Sequence, residues 1–437
     1  MSTNQTTPSS IPDHNASVPA PSQSSDFVGF YDAASSTWQG LEPAAADNGE
    51  AGEDSERKRA ENSRRDLREF LLSSLQMQHL AVLAGSGTSM GPAVNGPSMK
   101  DLWNACVLAD PKGADKSKQK ATEVAQKAME SVNFSAAVEA DHRHKDNIEA
   151  LLSRCEAFAQ IRDDESVASF ITAAKRTILD KCRGFLDSTS DSQLHAHRTF
   201  LHRLSRRRAR DSRLKLFTTN YDLCFETAAG RQGLVSLDGF SFTQPRHFDP
   251  RFYSYDIVRR SPNAEDFGTP LEGVFVFYKL HGSVNWKRDG DEITSTDDVS
   301  ADHACMIFPA AGKYQQSYIQ PHLELMSQYL SSLREPNTCL IAIGYGFNDD
   351  HLSEPILAAV RTNPHLRLIV VSPTVKRDVD TNDHRYWRPL FELAKAGHDI
   401  RLINATFQQF AELIPDLKSL TPAEQLSKSI QRIAAPS

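Results

Sequence analysis

The chain has 437 residues, 39% of them hydrophobic and 24% charged, which is ordinary for a soluble globular protein and enough for a large core and two or three domains. Lys and Arg number 49 against 56 Asp and Glu, so the net charge of −7 makes no overall case for nucleic-acid binding, and local patches alone could argue for it. The six cysteines, at 106, 155, 182, 224, 305 and 339, include no C-x-x-C pair; this excludes a zinc ribbon or a dithiol redox motif and predicts buried thiols in a reducing compartment.

Residues 1–60 are rich in Ser, Pro, Ala, Asn and Gln, and no Lys or Arg precedes Arg57. Such a segment buries too little apolar surface to offset chain entropy, so a disordered acidic tail is predicted over 1–60. Within it, "FVGFYDAASSTW" (Phe27 to Trp38) concentrates aromatics and is the one part equipped to dock elsewhere. There is no basic-then-apolar secretory pattern and no run approaching the ~18 apolar residues of a membrane span, so a cytoplasmic location without membrane contact is expected.

Leu67, Phe70, Leu71 and Leu75 fall at helical spacing. "HLAVLAG" then reads as a short buried strand broken by "GSGTSMG", after which Ser98 caps a helix containing Leu102, Trp103 and Val107. From about 113 to 212 apolar residues recur at three- and four-residue steps, and no strand is visible. "RLKLFTTNYD" returns to strand, turn and helix, and residues 231–272 read as loop-rich. "VFVFYKL" is the next strand, and Asp289-Gly290 is a hairpin turn. Helices then alternate with strands "TCLIAIG", "LRLIVVS" and "IRLINATF" before a last amphipathic helix. Short apolar strands alternating with helices predict an α/β fold, a doubly wound, mostly parallel Rossmann-like sheet, over 61–437, with a helical module inserted at about 113–212.

In such sheets ligands sit at the carboxyl ends of the strands. "GSGTS", "TTNYD", "HGS", "GYGFND" and "SP" each follow one of these strands, so their polar and glycine residues gather on one rim. The glycine-serine turn offers backbone N–H groups and hydroxyls to a pyrophosphate, but such turns are common, and no G-K-[ST] lysine follows. Asn220 can both donate and accept, as a carboxamide or a water requires; a plain turn or helix cap fits the same residues. His281 has the proton affinity of a general base near neutrality, and also the profile of a satisfied core histidine.

Taken together these segments resemble the sirtuin family. The resemblance rests on G-x-G-x-S at Gly85, Gly87 and Ser89, T-x-N-x-D at Thr218, Asn220 and Asp222, H-G at His281 and Gly282, a glycine turn at Gly344-Tyr345-Gly346, and a late strand ending in Ser372. It spans roughly residues 75–405, and the pattern is most similar to bacterial sirtuin-like proteins of antiphage defence. The four-cysteine zinc module and the G-I-P-D-F-R stretch of protein deacylases are not found here, where "GPAVNGPSMKDLW" stands instead.

The resemblance implies NAD as substrate and no metal. It implies that Ala84, Gly85, Ser86, Gly87, Thr88 and Ser89 hold the pyrophosphate. It also implies that Asn220, flanked by Thr219 and Tyr221, positions the ribose carbon or attacking water, that Asp222 holds the nicotinamide side or orients Asn220, and that His281 is the general base. Gly344, Tyr345, Gly346 and Ser372 would line the adenosine end. The implied activity is NAD glycohydrolysis in antiphage defence, triggered by a partner such as a HerA-type ATPase or an Argonaute-like protein, in a homo-oligomer. An NAD-dependent deacylase or ADP-ribosyltransferase, and a non-catalytic NAD or ADP-ribose sensor, stay open as alternatives.

Two further stretches compete for attention. Arg198 to Lys215 holds seven arginines and one lysine, and could bind nucleic acid or an acidic partner, or simply face water or the acidic tail. "DHRHKD" (Asp141 to Asp146) has the residue types of a metal cluster without a recognised ligand spacing.

Overall fold

The computed structural model describes residues 27–417 apart from 44–48, 111–119, 187–189, 191, 209, 261–267, 310–318 and 380–384. A nine-stranded sheet organises them, in the order Thr37–Gly40, Gly29–Asp32, Ile400–Asn404, Leu366–Val371, Thr338–Ile343, His79–Ala84, Leu214–Thr218, Val274–Lys279 and Val235–Leu237. The seven strands from Ile400–Asn404 onward run parallel, and the first two form an antiparallel hairpin at the edge. This is the expected α/β, mostly parallel Rossmann-like architecture.

Alternate residues of each strand face opposite layers, as the strand period of two dictates. Ala81 and Leu83 join one core with Leu340 and Ala342, under the helices His322–Arg334, Asp350–Thr362 and Trp387–Lys395. Leu80, Val82 and Ala84 join the other core with Ile341 and Ile343, under Gly49–Leu75, His195–Ser205, Cys224–Arg231 and Phe407–Leu413. Apolar residues on both faces explain why these strands read as continuous hydrophobic runs.

Helices between Glu123 and Arg183 build a third core with Leu102 and Trp103. It closes against Phe308 and against Val284 and Met306, the last two from a small antiparallel sheet of Ala304–Met306, Gly282–Asp289, Glu292–Ser295 and Arg246–His247. The turn at Asp289-Gly290 joins two of these strands, with Gly290 at φ +59°. Within the loop-rich 231–272, Val235–Leu237 and Arg246–His247 are short strands. Strands of two or three residues carry no periodicity to read.

The disorder expected through residue 60 is corrected for its described part. Gly29 and Phe30 pair with Asn404 and Ile403 at the sheet edge, Phe30 and Tyr31 are buried, and a helix already begins at Gly49. Asn404 donates to the Phe27 carbonyl at 2.7 Å, and Lys376 Nζ lies 3.9 Å from the centre of the Phe27 ring. A free strand edge supplies the hydrogen bonds that composition could not foresee. Residues 1–26 and 44–48 of that expectation lie outside the described residues.

The arginine run is largely internal. Arg203 donates to the carbonyls of Ala411, Glu412 and Ile414, capping the end of Phe407–Leu413. Arg207, 6% exposed, donates to Leu75, Met77, Gln78 and Ser212. Arg213 pairs with Asp256 and donates to the Leu271 carbonyl. Among the described residues no group of three or more His, Cys, Asp or Glu is placed to hold a metal ion, the stretch Asp141 to Asp146 included.

Candidate active site

Strand register brings the rim together. Ile343 pairs with Ala84, Ala84 with Thr218, and Thr218 with Lys279, so Gly344, Gly85, Thr219 and Leu280 leave the sheet in one row. His79–Ala84 passes its chain toward Leu214–Thr218 on one side, while Thr338–Ile343 lies on its other side and leads away from it. That is the switch in strand order where a crevice must open. A partly open cleft of about 180 Å³ lies there.

Its floor is two glycine turns in contact. Gly344 has φ +58°, and a Cβ there would lie 2.6 Å from the Thr88 nitrogen. A Cβ on Gly87 would meet Gly344 Cα at 2.7 Å, and the Gly87 N–H donates to the Gly344 carbonyl. Only residues without a side chain let these loops approach so closely.

Above the floor stands Asn220, 6% exposed, and its orientation is set by its neighbours. Thr88 Oγ1 donates to the Gly85 carbonyl at 2.8 Å, and Ser89 Oγ donates to Asp222 Oδ2 at 2.8 Å. Both hydroxyls have spent their proton, so they meet Asn220 as acceptors, at 3.1 and 3.0 Å from Nδ2. The amide NH2 must face them, which leaves Asn220 Oδ1 as a buried acceptor without a protein partner. Such an atom costs free energy unless a ligand or water supplies a donor. Asp222 also accepts from the Cys224 N–H at 3.0 Å and so anchors the start of Cys224–Arg231.

His281, 3% exposed, lines the same cleft from the junction of two strands. Its Nε2 lies 3.2 Å from Nε2 of His351, in the first turn of Asp350–Thr362. His322 donates from Nδ1 to the adjacent Leu280 carbonyl at 3.1 Å, and burial brings its pKa down to about 4, so it is a neutral donor that holds the chain before His281. The helical module contributes Glu149, Cys182 and Phe185 to the wall, beside Gly96, Pro97, Met99 and Leu102. Burial pushes the Cys182 thiol up to about 12, so it is no nucleophile.

Gly85, Ser86, Ser89, Thr219, Asn220, Tyr221, Asp222, His281, Gly344, Tyr345 and Gly346 of the expected set therefore line one cleft. Four expected residues do not. Ala84 is fully buried, Gly87 packs on Gly344, and Thr88 is buried behind Asn220. Ser372 bonds Ile403 and Thr374 two strands away. The Tyr345 hydroxyl is engaged by the Asp349 carbonyl and Ser353 Oγ, and the Tyr221 hydroxyl donates to the Ile307 carbonyl. His351, Glu149 and Asp349 were missed; His351 and Asp349 follow directly after "GYGFN", whereas nothing in the sequence points Glu149 at a sheet it is not part of.

No curated protein matches the chain. Residues 214–392, less than half of it, match the family model described as a SIR2-like domain. That stretch contains Asn220, Asp222, His281, His351 and the second glycine turn, and not the first. The similarity supports a sirtuin-like family and fits an NAD-related activity.

Proposed function

We propose that the protein binds NAD in this cleft and hydrolyses the bond between nicotinamide and ribose, giving nicotinamide and ADP-ribose. The observation that carries the reading is Asn220 Oδ1, a buried unpartnered acceptor in the same cleft as the His281 imidazole, above two touching glycine turns. It is suited to accept from the attacking water or a ribose hydroxyl. The glycine turns suit a diphosphate, because backbone can approach there without side chains.

In this reading the oxygen of water bonds to the anomeric carbon as the carbon–nitrogen bond breaks. The bonding pair passes to the ring nitrogen, nicotinamide leaves neutral, and the proton lost by water passes through His281 to solvent. Positive charge builds on the ribose as in glycoside hydrolysis, and the acidic residues Asp222, Asp349 and Glu149 are among those lining the cleft that would hold it.

We attach to this activity a role in antiphage defence by NAD depletion, in a cytoplasmic homo-oligomer kept at low activity until a partner acts. A HerA-type ATPase or an Argonaute-like protein would be such a partner. This part is supported by the sequence resemblance alone. The test is nicotinamide release from NAD by purified protein, with and without extract of infected cells, alongside NAD levels during phage challenge in cells expressing wild type or His281→Ala. No nicotinamide under any condition sinks the reading, and ADP-ribose found attached to protein in place of free ADP-ribose would make the enzyme a transferase.

A further inference from the structure

The Asn220–Asp222 turn rests on a buried ammonium that no step above uses. Lys279 is the last residue of its strand and 2% exposed. Its Nζ donates to the carbonyls of Tyr221, at 3.2 Å, and of Asp222, and to Glu226 Oε1 at 2.7 Å. Three donors meet three acceptors, so the ammonium is fully satisfied. The Tyr221 carbonyl also accepts from the Val284 N–H at 3.0 Å and Ser283 Oγ at 3.3 Å. The ion-pair partner of Lys279 is Glu226, from Cys224–Arg231, whereas its bond to Asp222 is to the main-chain carbonyl.

Two features separate this from an ordinary buried ion pair. Two of the three bonds go to main-chain carbonyls of the residues that flank and carry the polar groups of the cleft. Lys279 also lies two residues before His281, so one strand end bears both the imidazole and the clamp on the opposing turn. A shift of that turn would move Asn220 Oδ1 and Asp222 relative to His281, and misplacements of an ångström in such a set cost large factors in rate.

We infer that Lys279 is a positioning residue for the reacting groups, holding the Tyr221 and Asp222 carbonyls so that Asn220 and His281 share one fixed geometry, with Glu226 serving to neutralise it. For its activity readout the inference rests on the proposed NAD cleavage.

The test compares wild type, Lys279→Met and the double variant Lys279→Met/Glu226→Leu in the full chain. Replacing both members of a buried pair by apolar residues is often neutral or stabilising, whereas removing one strands the other. The double variant therefore restores the fold without restoring the clamp. Its Tm is expected near that of wild type, with kcat for nicotinamide release per folded molecule lowered at least about 30-fold and KM for NAD changed less than about threefold. Amide hydrogens of 219–223 are expected to exchange at least about tenfold faster, with the rest of the sheet unchanged.

A double variant with wild-type kcat would make the pair purely structural and overturn the inference. Failure of both variants to fold at 20 °C would do the same. If wild type itself releases no nicotinamide, the proposed function falls, and unchanged exchange at 219–223 then overturns this inference separately.

Discussion

The Nε2 atoms of His281 and His351 face each other at 3.2 Å, with both rings buried and only His281 lining the cleft. A hydrogen bond between two imidazole nitrogens holds one proton, so one ring donates while the other accepts. His351 thereby acts on the protonation and aim of His281 from behind. His281→Ala is expected to lower nicotinamide release roughly 100-fold or more, and His351→Ala about tenfold. The double variant should be no worse than His281→Ala alone, because His351 works through its partner. Additive losses in steady-state kinetics would show that it does not.

The chain Asp222–Ser89–Asn220 predicts a similar non-additivity. Asn220→Ala removes the buried acceptor and should cost roughly 100-fold in kcat. Ser89→Ala leaves the acceptor but frees the amide to flip, with an expected loss of about tenfold, near 1.4 kcal/mol. Combining Ser89→Ala with Asp222→Asn should cost less than the product of the two single losses. Equal kcat for Ser89→Ala and wild type would mean that the amide is oriented by something else.

Gly344 is expected to be hard to replace. Ala there would clash with backbone of the first glycine turn as well as strain a left-handed residue, costing at least about 2 kcal/mol. Gly397 has φ +91° with open space around it, so its Ala variant bears the conformational cost alone, about 1 kcal/mol. Denaturant titration of both variants checks the difference; equal midpoints would refute close contact of the two turns.

His197 makes stability depend on acid. It is fully buried between Phe225 and Phe407, both ring nitrogens lack partners, and burial brings its pKa from the ordinary 6.5 down to about 4. The unfolded chain thus binds the proton more readily. Stability is complete above pH 6.5 and is lost as pH falls toward 4, by roughly 3 kcal/mol. His197→Phe should remove most of that loss, seen as a smaller drop in Tm between pH 7 and pH 5. An unchanged acid profile would place the sensitivity elsewhere.

Arg207 tests the arginine run. Arg207→Met would leave the carbonyls of Leu75, Met77, Gln78 and Ser212 short of a donor, at an expected cost of roughly 3 kcal/mol. Thermal unfolding should report it, while any affinity for DNA or RNA stays unchanged. The reverse pattern would revive the nucleic-acid reading.

Much of the architecture was legible along the chain because local chemistry sets it. Apolar runs such as "TCLIAI" and "LRLIVV" are buried on both faces, and Gly85, Asn220, His281 and Gly344 each stand just past such a run, so a shared rim followed from the alternation of strand and helix. Tertiary structure alone decided which of those residues face the opening. Register and loop contact turned Gly87 and Thr88 into floor and sent Ser372 aside. They also set His351 behind His281, put Lys279 under the turn and brought Glu149 across from the helical module. The tail's aromatics found an open sheet edge by the same kind of long-range pairing. Periodicity reports what one segment needs to bury, and carries no term for which distant segment will bury it.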